Sequence, residues 1–339
     1  MLDTVLGAVL PMVVTLLLGF VAAWRRDFGP RDASTLNRMV LVYAVPLALF
    51  AGTVTTSRTE LSQVIPLVIA LCIAIIGLYG AVFLLSPIAF RLQMSASALA
   101  ALAASAPVVP FVGPAVLGDL FGGSSAIPIA IASLVINLTV VPATILFLTL
   151  DTAEGDAQRA SSAAQDREDL ASPPASQFSV LAANLAETVK QPIVWAPVFA
   201  FVIVLSGLRV PRLIFHSLFM LGHASGGVAL FASGCVLASA AIKVNRYVLS
   251  VVFLKIIAQP ALVLGGLRWL GYSDPILSEA VLTTAIPAMP IVIMLAVQYR
   301  VAEAEAASAV FLSVIGSVIT IGAFVALTMW ASEPPMTEK

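Results

Sequence analysis

Two pairs of prolines in this 339-residue chain, Pro107/Pro110 and Pro287/Pro290, share a Pro-x-x-Pro spacing and lie 180 residues apart (287 − 107). Each pair interrupts an apolar run otherwise long enough to cross a membrane, Ser95–Leu117 and Ser278–Tyr299. Proline lacks the amide hydrogen of the helix ladder, and its ring collides with the carbonyl four residues back, so each run has to break near its middle. Bare backbone at membrane depth is tolerated only against protein or a water-filled cavity. Pro110 and Pro290 suit the first position of a new half-helix, where a missing N–H costs nothing. The amides that follow, on Phe111, Val112 and Gly113 and on Ile291, Val292 and Ile293, are then expected to lack intrahelical partners. Such N-terminal ends carry partial positive charge and hold anions. Carbonyls of Ser105, Ala106, Ala285 and Ile286 are expected to be freed as well, for a cation or water. A single proline would be read as a kink between packed helices; a matched double pair at the midplane favours a binding site.

Other polar groups inside apolar runs extend this site. Lys255 is the one formally charged residue well inside a run, and a carboxylate is the natural partner of an intramembrane cation, although a lysine near a helix end can also snorkel. Thr283 and Thr284 stand one turn before the second break, where they either contact a substrate or bond their own backbone. Asn137 is a further candidate contact; Gln259 and His223 share the position but equally suit helix-to-helix hydrogen bonding. Val108, Val109 and Met289 lie within the breaks themselves and complete the candidate lining. Asn37 and Glu279 lie near the ends of their runs and are read as interfacial. Gly19 and Gly226-Gly227 are read as sites of close helix packing. No paired carboxylates, His/Cys metal spacing or phosphate-cradling glycine loop accompanies these residues, so enzyme chemistry and a bound metal are not expected. Cys72 and Cys235 both fall in apolar runs and imply no disulfide.

The elements that position these residues follow from composition. Sixty per cent of residues are apolar and ten per cent charged, with a mean hydropathy of +1.05, which excludes an ordinary soluble domain. A membrane helix needs about 20 apolar residues. Ten such spans are expected, near 3–23, 36–54, 63–86, 95–117, 126–149, 192–208, 217–240, 247–270, 278–299 and 307–330. The first is read as a retained anchor rather than a cleaved signal, because Asp3 precedes the apolar run and Arg25 and Arg26 follow it. With alternating connections, eleven of the 17 Lys and Arg residues fall on one side, five on the other and Lys255 within a span. The positive-inside rule then places both termini outside a cell inner (plasma) membrane and the central loop in the cytoplasm.

That loop, residues 151–190, is polar and is read as a largely disordered linker, with Phe178–Val189 weakly amphipathic. It separates residues 1–150 from residues 191–330, and a short polar tail covers 331–339. The two large segments read as repeats. Ser105–Pro110 aligns with Ala285–Pro290, Ala48-Leu-Phe-Ala51 with Ala229-Leu-Phe-Ala232, and Ser133 with Ser313. Several segments agreeing on one offset make duplication the better account. Five spans per half is an odd number, so the second half enters from the opposite side. The fold class expected is therefore an all-α polytopic membrane protein, a 5+5 inverted repeat with broken fourth and ninth spans, the symmetry that supports alternating access.

On these residues the chain resembles the auxin efflux carrier family in its bacterial, malonate-transporter-like branch, within the wider bile acid/sodium symporter-like superfamily. The resemblance spans Leu2 to about Trp330. It is carried by Leu36-Asn-Arg…Tyr-Ala-Val-Pro46-Leu-Ala-Leu-Phe, Pro107-Val-Val-Pro110, Gly226-Gly-Val-Ala-Leu-Phe-Ala232-Ser-Gly, Lys255…Gln259-Pro260 and Pro287-Ala-Met-Pro290. It implies a scaffold domain, a transport domain whose fourth and ninth helices cross at the site, and secondary transport of a small organic anion. Malonate-like mono- or dicarboxylates are implied first; an auxin-like aromatic carboxylate is the alternative, as is a channel or sensor on the same fold. Coupling to Na+ or H+ stays open, and a homodimer through scaffold helices is implied by the family alone.

Overall fold

The computed structural model describes residues 2–54, 65–121, 125–151, 192–208, 210–239, 242–273 and 275–330. The central stretch 152–191, with its amphipathic segment Phe178–Val189, and the tail 331–339 lie outside the described residues. Among the described residues the secondary structure is helical, with no strand longer than one isolated bridge.

The helices are α1 (Leu2–Trp24), α2 (Pro30–Met39 running on to Val54), α3 (Ile65–Phe90), α4 (Met94–Ser105), α5 (Val109–Phe121) and α6 (Ile127–Asp151). The second half supplies α7 (Pro192–Ser206), α8 (Arg212–Ser239), α9 (Arg246–Trp269), α10 (Ile276–Ala285), α11 (Ile291–Tyr299) and α12 (Glu303–Trp330). Five of them (α3, α6, α8, α9 and α12) contain stretches long and apolar enough to cross a membrane. The outward sides match that solvent: Ile88 on α3, Leu213 on α8 and Ile319 on α12 are apolar and exposed. In lipid every backbone group must be satisfied within the chain, and helices do so segment by segment.

Local chemistry sets the ends. The Gly29 N–H donates to Asp32 Oδ2 at 2.8 Å, and Pro30 occupies the first helical position, so α2 starts six residues before the expected span edge (36 − 30). Asn245 accepts the Val248 N–H at 2.8 Å and opens α9. Asp151 remains helical and accepts from the Ser95 N–H and hydroxyl, so the last residue of α6 holds the first turn of α4.

The helices form two groups. In one, α1 lies along α8, and α2 packs on α7 and α8. Close approach here requires glycine. A Cβ on Gly19 would sit 2.0 Å from the Phe231 carbonyl oxygen, and one on Gly234 would sit 2.0 Å from that of Leu16. Gly227, by contrast, faces open space and is not a packing position. The other group gathers α3, α4, α5, α6, α9, α10, α11 and α12. Its two halves match in backbone detail. The helix before each break ends at Ser105 and at Ala285 (285 − 105 = 180). A π-helical turn interrupts α3 at Ile73–Gly77 and α9 at Leu254–Ala258 (254 − 73 = 181). A left-handed residue ends α3 at Arg91, and another follows α9 at Gly271 (271 − 91 = 180).

Candidate functional site: two broken helices meet

Both breaks form where the prolines require them, and the structure brings them together. Pro107 and Ala288 pair in an antiparallel bridge. The Val108 N–H donates to the Pro287 carbonyl at 2.9 Å, and the Met289 N–H donates to the Ala106 carbonyl at 3.2 Å. Backbone that proline has released from the helix ladder is thus re-paired across the chain, as buried irregular backbone requires. Ser313 on α12 adds a third bond, its hydroxyl accepting the Ala288 N–H at 3.2 Å. The joint is enclosed by protein: Ser105, Ala106, Val108, Val109, Val112, Ala285, Ile286, Met289, Ile291 and Val292 are all buried.

A polar strut from α9 supports this joint. Lys255 is fully buried; its Nζ donates to Gln259 Oε1 at 2.7 Å and to the Thr284 carbonyl at 3.1 Å. The Gln259 amide donates in turn to the Ser105 carbonyl at 2.9 Å and to the Ala74 carbonyl at 3.1 Å. Lys255 and Gln259 are one helical turn apart. The pair therefore reaches the carbonyl ends of both α4 and α10, and the π-helical turn of α3 as well. On the far side of Gln259 an apolar groove of about 350 Å³ runs between α3 and α9, lined by small residues such as Ala70, Ala74, Gly77 and Gly266.

Several expectations change on this geometry. The amides after the prolines are not all free: Val112 N–H reaches the Val108 carbonyl at 3.3 Å, Val292 N–H that of Met289 at 3.2 Å, and Ile293 N–H that of Pro290 at 3.0 Å. The first turn of α11 tightens to three-residue bonds, whereas α5 extends its ordinary four-residue ladder back to Val108; both leave fewer donors than an open N-terminus would offer. Of the four carbonyls expected to be freed, those of Ser105 and Ala106 already have donors. Ser105 Oγ bonds the Ala101 carbonyl at 2.7 Å. Thr283 bonds the Glu279 carbonyl at 2.6 Å, and Thr284 bonds the Val281 carbonyl at 2.9 Å. Both threonine hydroxyls thus serve their own helix. The Lys255 ammonium faces carbonyl oxygens rather than open space.

Asn137 is buried in a π-helical turn of α6 that packs on the π-helical turn of α3 and on α7, and it is not on a broken segment. Asn37 and Glu279 are buried, not interfacial. Asn37 on α2 donates to the Met294 carbonyl of α11 at 3.0 Å and so ties the first helix group to a half-helix of the second. The side chains of Pro110, Phe111 and His223 lie outside the described residues. Two contributors were not singled out from sequence, the Ser313 hydroxyl and the Ala74 carbonyl. The Lys255/Gln259 spacing of four, on one helix face, was the signal that could have joined those two residues into one device.

The pattern of the membrane transport protein family matches residues 4–325. The chain belongs to that family, the family of the auxin efflux carriers. It is also 29% identical over 323 residues to "Uncharacterized transporter YfdV" of Escherichia coli (strain K12), covering 94% of this chain and 96% of that one. Proteins of the same name from Escherichia coli O157:H7 and Shigella flexneri match to the same extent. As a family member with long apolar helices the chain is a multi-pass membrane protein of transport rather than an enzyme, and a small molecule is its substrate.

Proposed function

We propose that this membrane transport protein is a secondary carrier for a small organic anion, a malonate-like mono- or dicarboxylate, bound where the two broken helices cross. The observation that carries the reading is the antiparallel bridge between Pro107 and Ala288, with its hydrogen bonds at 2.9 and 3.2 Å. Paired discontinuous helices from the two halves of a transporter are the recurrent architecture of a midplane site. The 180-residue match of the helix ends and left-handed caps supports a 5+5 inverted repeat. Helices α1, α2, α7 and α8 are the scaffold and the second group is the moving body. The N-terminal ends of α5 and α11, with Val108, Val109, Met289 and Ile291 around them, form the lining that meets the substrate. Lys255 acts from behind, holding the joint through the Thr284 carbonyl, while the Thr283 and Thr284 hydroxyls serve their own helix. Positive residues favour a cytoplasmic central loop and outside termini in the plasma membrane.

The test is uptake of labelled malonate into proteoliposomes, with Na+ and pH gradients imposed separately and unlabelled acids as competitors. Saturable uptake blocked by dicarboxylates is the expected result. No uptake of malonate or of any labelled competitor overturns the carrier reading. Flux that fails to saturate and runs at channel speed replaces it with a passive pore.

A further inference from the structure

The buried ammonium of Lys255 has no carboxylate beside it among the described residues; the Lys243–Glu305 ion pair, at 2.8 Å, lies elsewhere, on an exposed edge. What surrounds Lys255 instead is oxygen from two helix ends. Nζ touches the Thr284 carbonyl in the last turn of α10, and through Gln259 it reaches the Ser105 carbonyl at the last residue of α4. Each helix C-terminus carries roughly half a negative charge, and the ends of α4 and α10 both present theirs to this lysine–glutamine pair, where the ammonium offsets them locally. Its counterpart in the first half is Ile75 (255 − 180), fully buried and apolar, so the device exists once per molecule.

We propose that Lys255 is a tethered substitute for an inorganic coupling cation: its ammonium occupies the carbonyl site that Na+ or Li+ would otherwise fill, and the carrier therefore runs without a bound alkali ion there. A tethered cation is neither taken up nor released in the cycle. It neutralises the converging helix ends in every state of the moving body and contributes no ion gradient to the driving force. This rests on the carrier reading above and names its coupling. Shortening the lysine to alanine leaves the Thr284 carbonyl and Gln259 Oε1 in place and opens space beside them, which makes an acquired site for a small cation.

The experiment compares the full-length protein with Lys255→Ala and Lys255→Met in proteoliposomes carrying equal Na+, Li+, methylammonium or choline on both sides. Thermal unfolding in the same four salts runs alongside. Wild-type uptake is expected to be the same in all four. Lys255→Ala is expected to lose about ten-fold or more in choline, because removing one partner leaves buried polar groups uncompensated. Na+, Li+ or methylammonium is expected to restore uptake of Lys255→Ala and to raise its Tm, with no effect on the wild-type Tm. Lys255→Met, whose chain fills the space, is expected to stay low in every salt. Wild-type uptake that rises with Na+ overturns the inference, as does a folded Lys255→Ala indifferent to all cations. If Lys255→Ala is recovered folded only in a small cation, the inference stands; misfolding alike in all four salts counts against it. Absence of wild-type uptake in every salt refutes the carrier reading instead, and the Tm comparison then still decides the cation site.

Discussion

Replacing Gln259 with leucine tests the logic of the crossover at its most connected side chain. The glutamine amide supplies donors to the Ser105 carbonyl at 2.9 Å and the Ala74 carbonyl at 3.1 Å, while its oxygen accepts from Lys255 at 2.7 Å. Leucine keeps the bulk and removes all three bonds. Measured interhelical hydrogen bonds in membranes average about 0.6 kcal/mol and reach about 1.7, so two carbonyls losing their donors cost roughly 1–3 kcal/mol. The ammonium keeps the Thr284 carbonyl but loses its shorter bond, and bonds to charged groups are worth about 1.5–3 kcal/mol. The total is roughly 3–6 kcal/mol. At about 2–4 °C per kcal/mol for chains near this size, Tm should fall by roughly 6–24 °C. Uptake should fall with it, because the ends of α4 and α10 are no longer tied to one helix. Gln298→Leu on α11, an exposed position, serves as the control and should change neither. The assay is thermal unfolding in detergent paired with proteoliposome uptake. A Gln259→Leu protein with wild-type Tm and uptake would refute the claim that this strut holds the crossover.

Other expected outcomes follow from the same contacts. Pro107→Ala with Pro287→Ala lets both helices close their ladders; labelled-substrate uptake should be abolished while the protein still inserts, and undiminished uptake would sink the crossover site. Gly234→Ala forces a Cβ to within 2.0 Å of the Leu16 carbonyl oxygen, so α8 has to retreat from α1 by about 1.4 Å to regain ordinary contact; overpacking of this kind costs about 1–3 kcal/mol, read as a lower Tm, whereas Gly227→Ala should be silent. Asn37→Ala removes the 3.0 Å bond from α2 to the Met294 carbonyl; because that bond joins the two helix groups, the rate of uptake should change by more than Tm does. Ser313→Ala takes the acceptor from the Ala288 N–H and should cost about 0.6 kcal/mol, a small Tm loss that Ser313→Thr restores.

The breaks were legible because proline acts locally: nothing elsewhere in the chain can return the missing amide hydrogen to Pro107 or Pro287. The Ser105/Ala285 match was legible for the same reason, since both sit two residues before a proline. How the released groups would pair again was not legible. Ser105 finds Gln259 and Ala106 finds Met289, partners more than 150 residues away, and no local rule names them. Val292 and Ile293 looked like free donors because the reading stopped at the four-residue ladder, and a tighter three-residue turn claims both; Val112 is claimed by the ladder itself, through the Val108 carbonyl inside the break. Asn37 was misplaced for a related reason. Its position near a span edge suggested water, but α2 begins six residues earlier and draws that edge inward. Glycine behaved likewise: Gly19 and Gly227 look alike in sequence, and only the crossing of α1 with α8 separates them.

The bridge between the breaks also orders events during synthesis. Until Met289 and Gln259 have been made, the Ala106 and Ser105 carbonyls have no donor from the second half of the chain. A chain elongating at about 5–20 residues per second needs roughly 10–40 s to span the 183 residues from 106 to 289. In the crossover arrangement proposed above, the first half then waits in the bilayer with these carbonyls open, where each costs several kcal/mol. Helices α1–α6 are thus an incomplete product awaiting the rest. A ribosome stalled inside the central stretch leaves a fragment whose polar break marks it for membrane quality control, and a split protein should regain function only when both halves are made together.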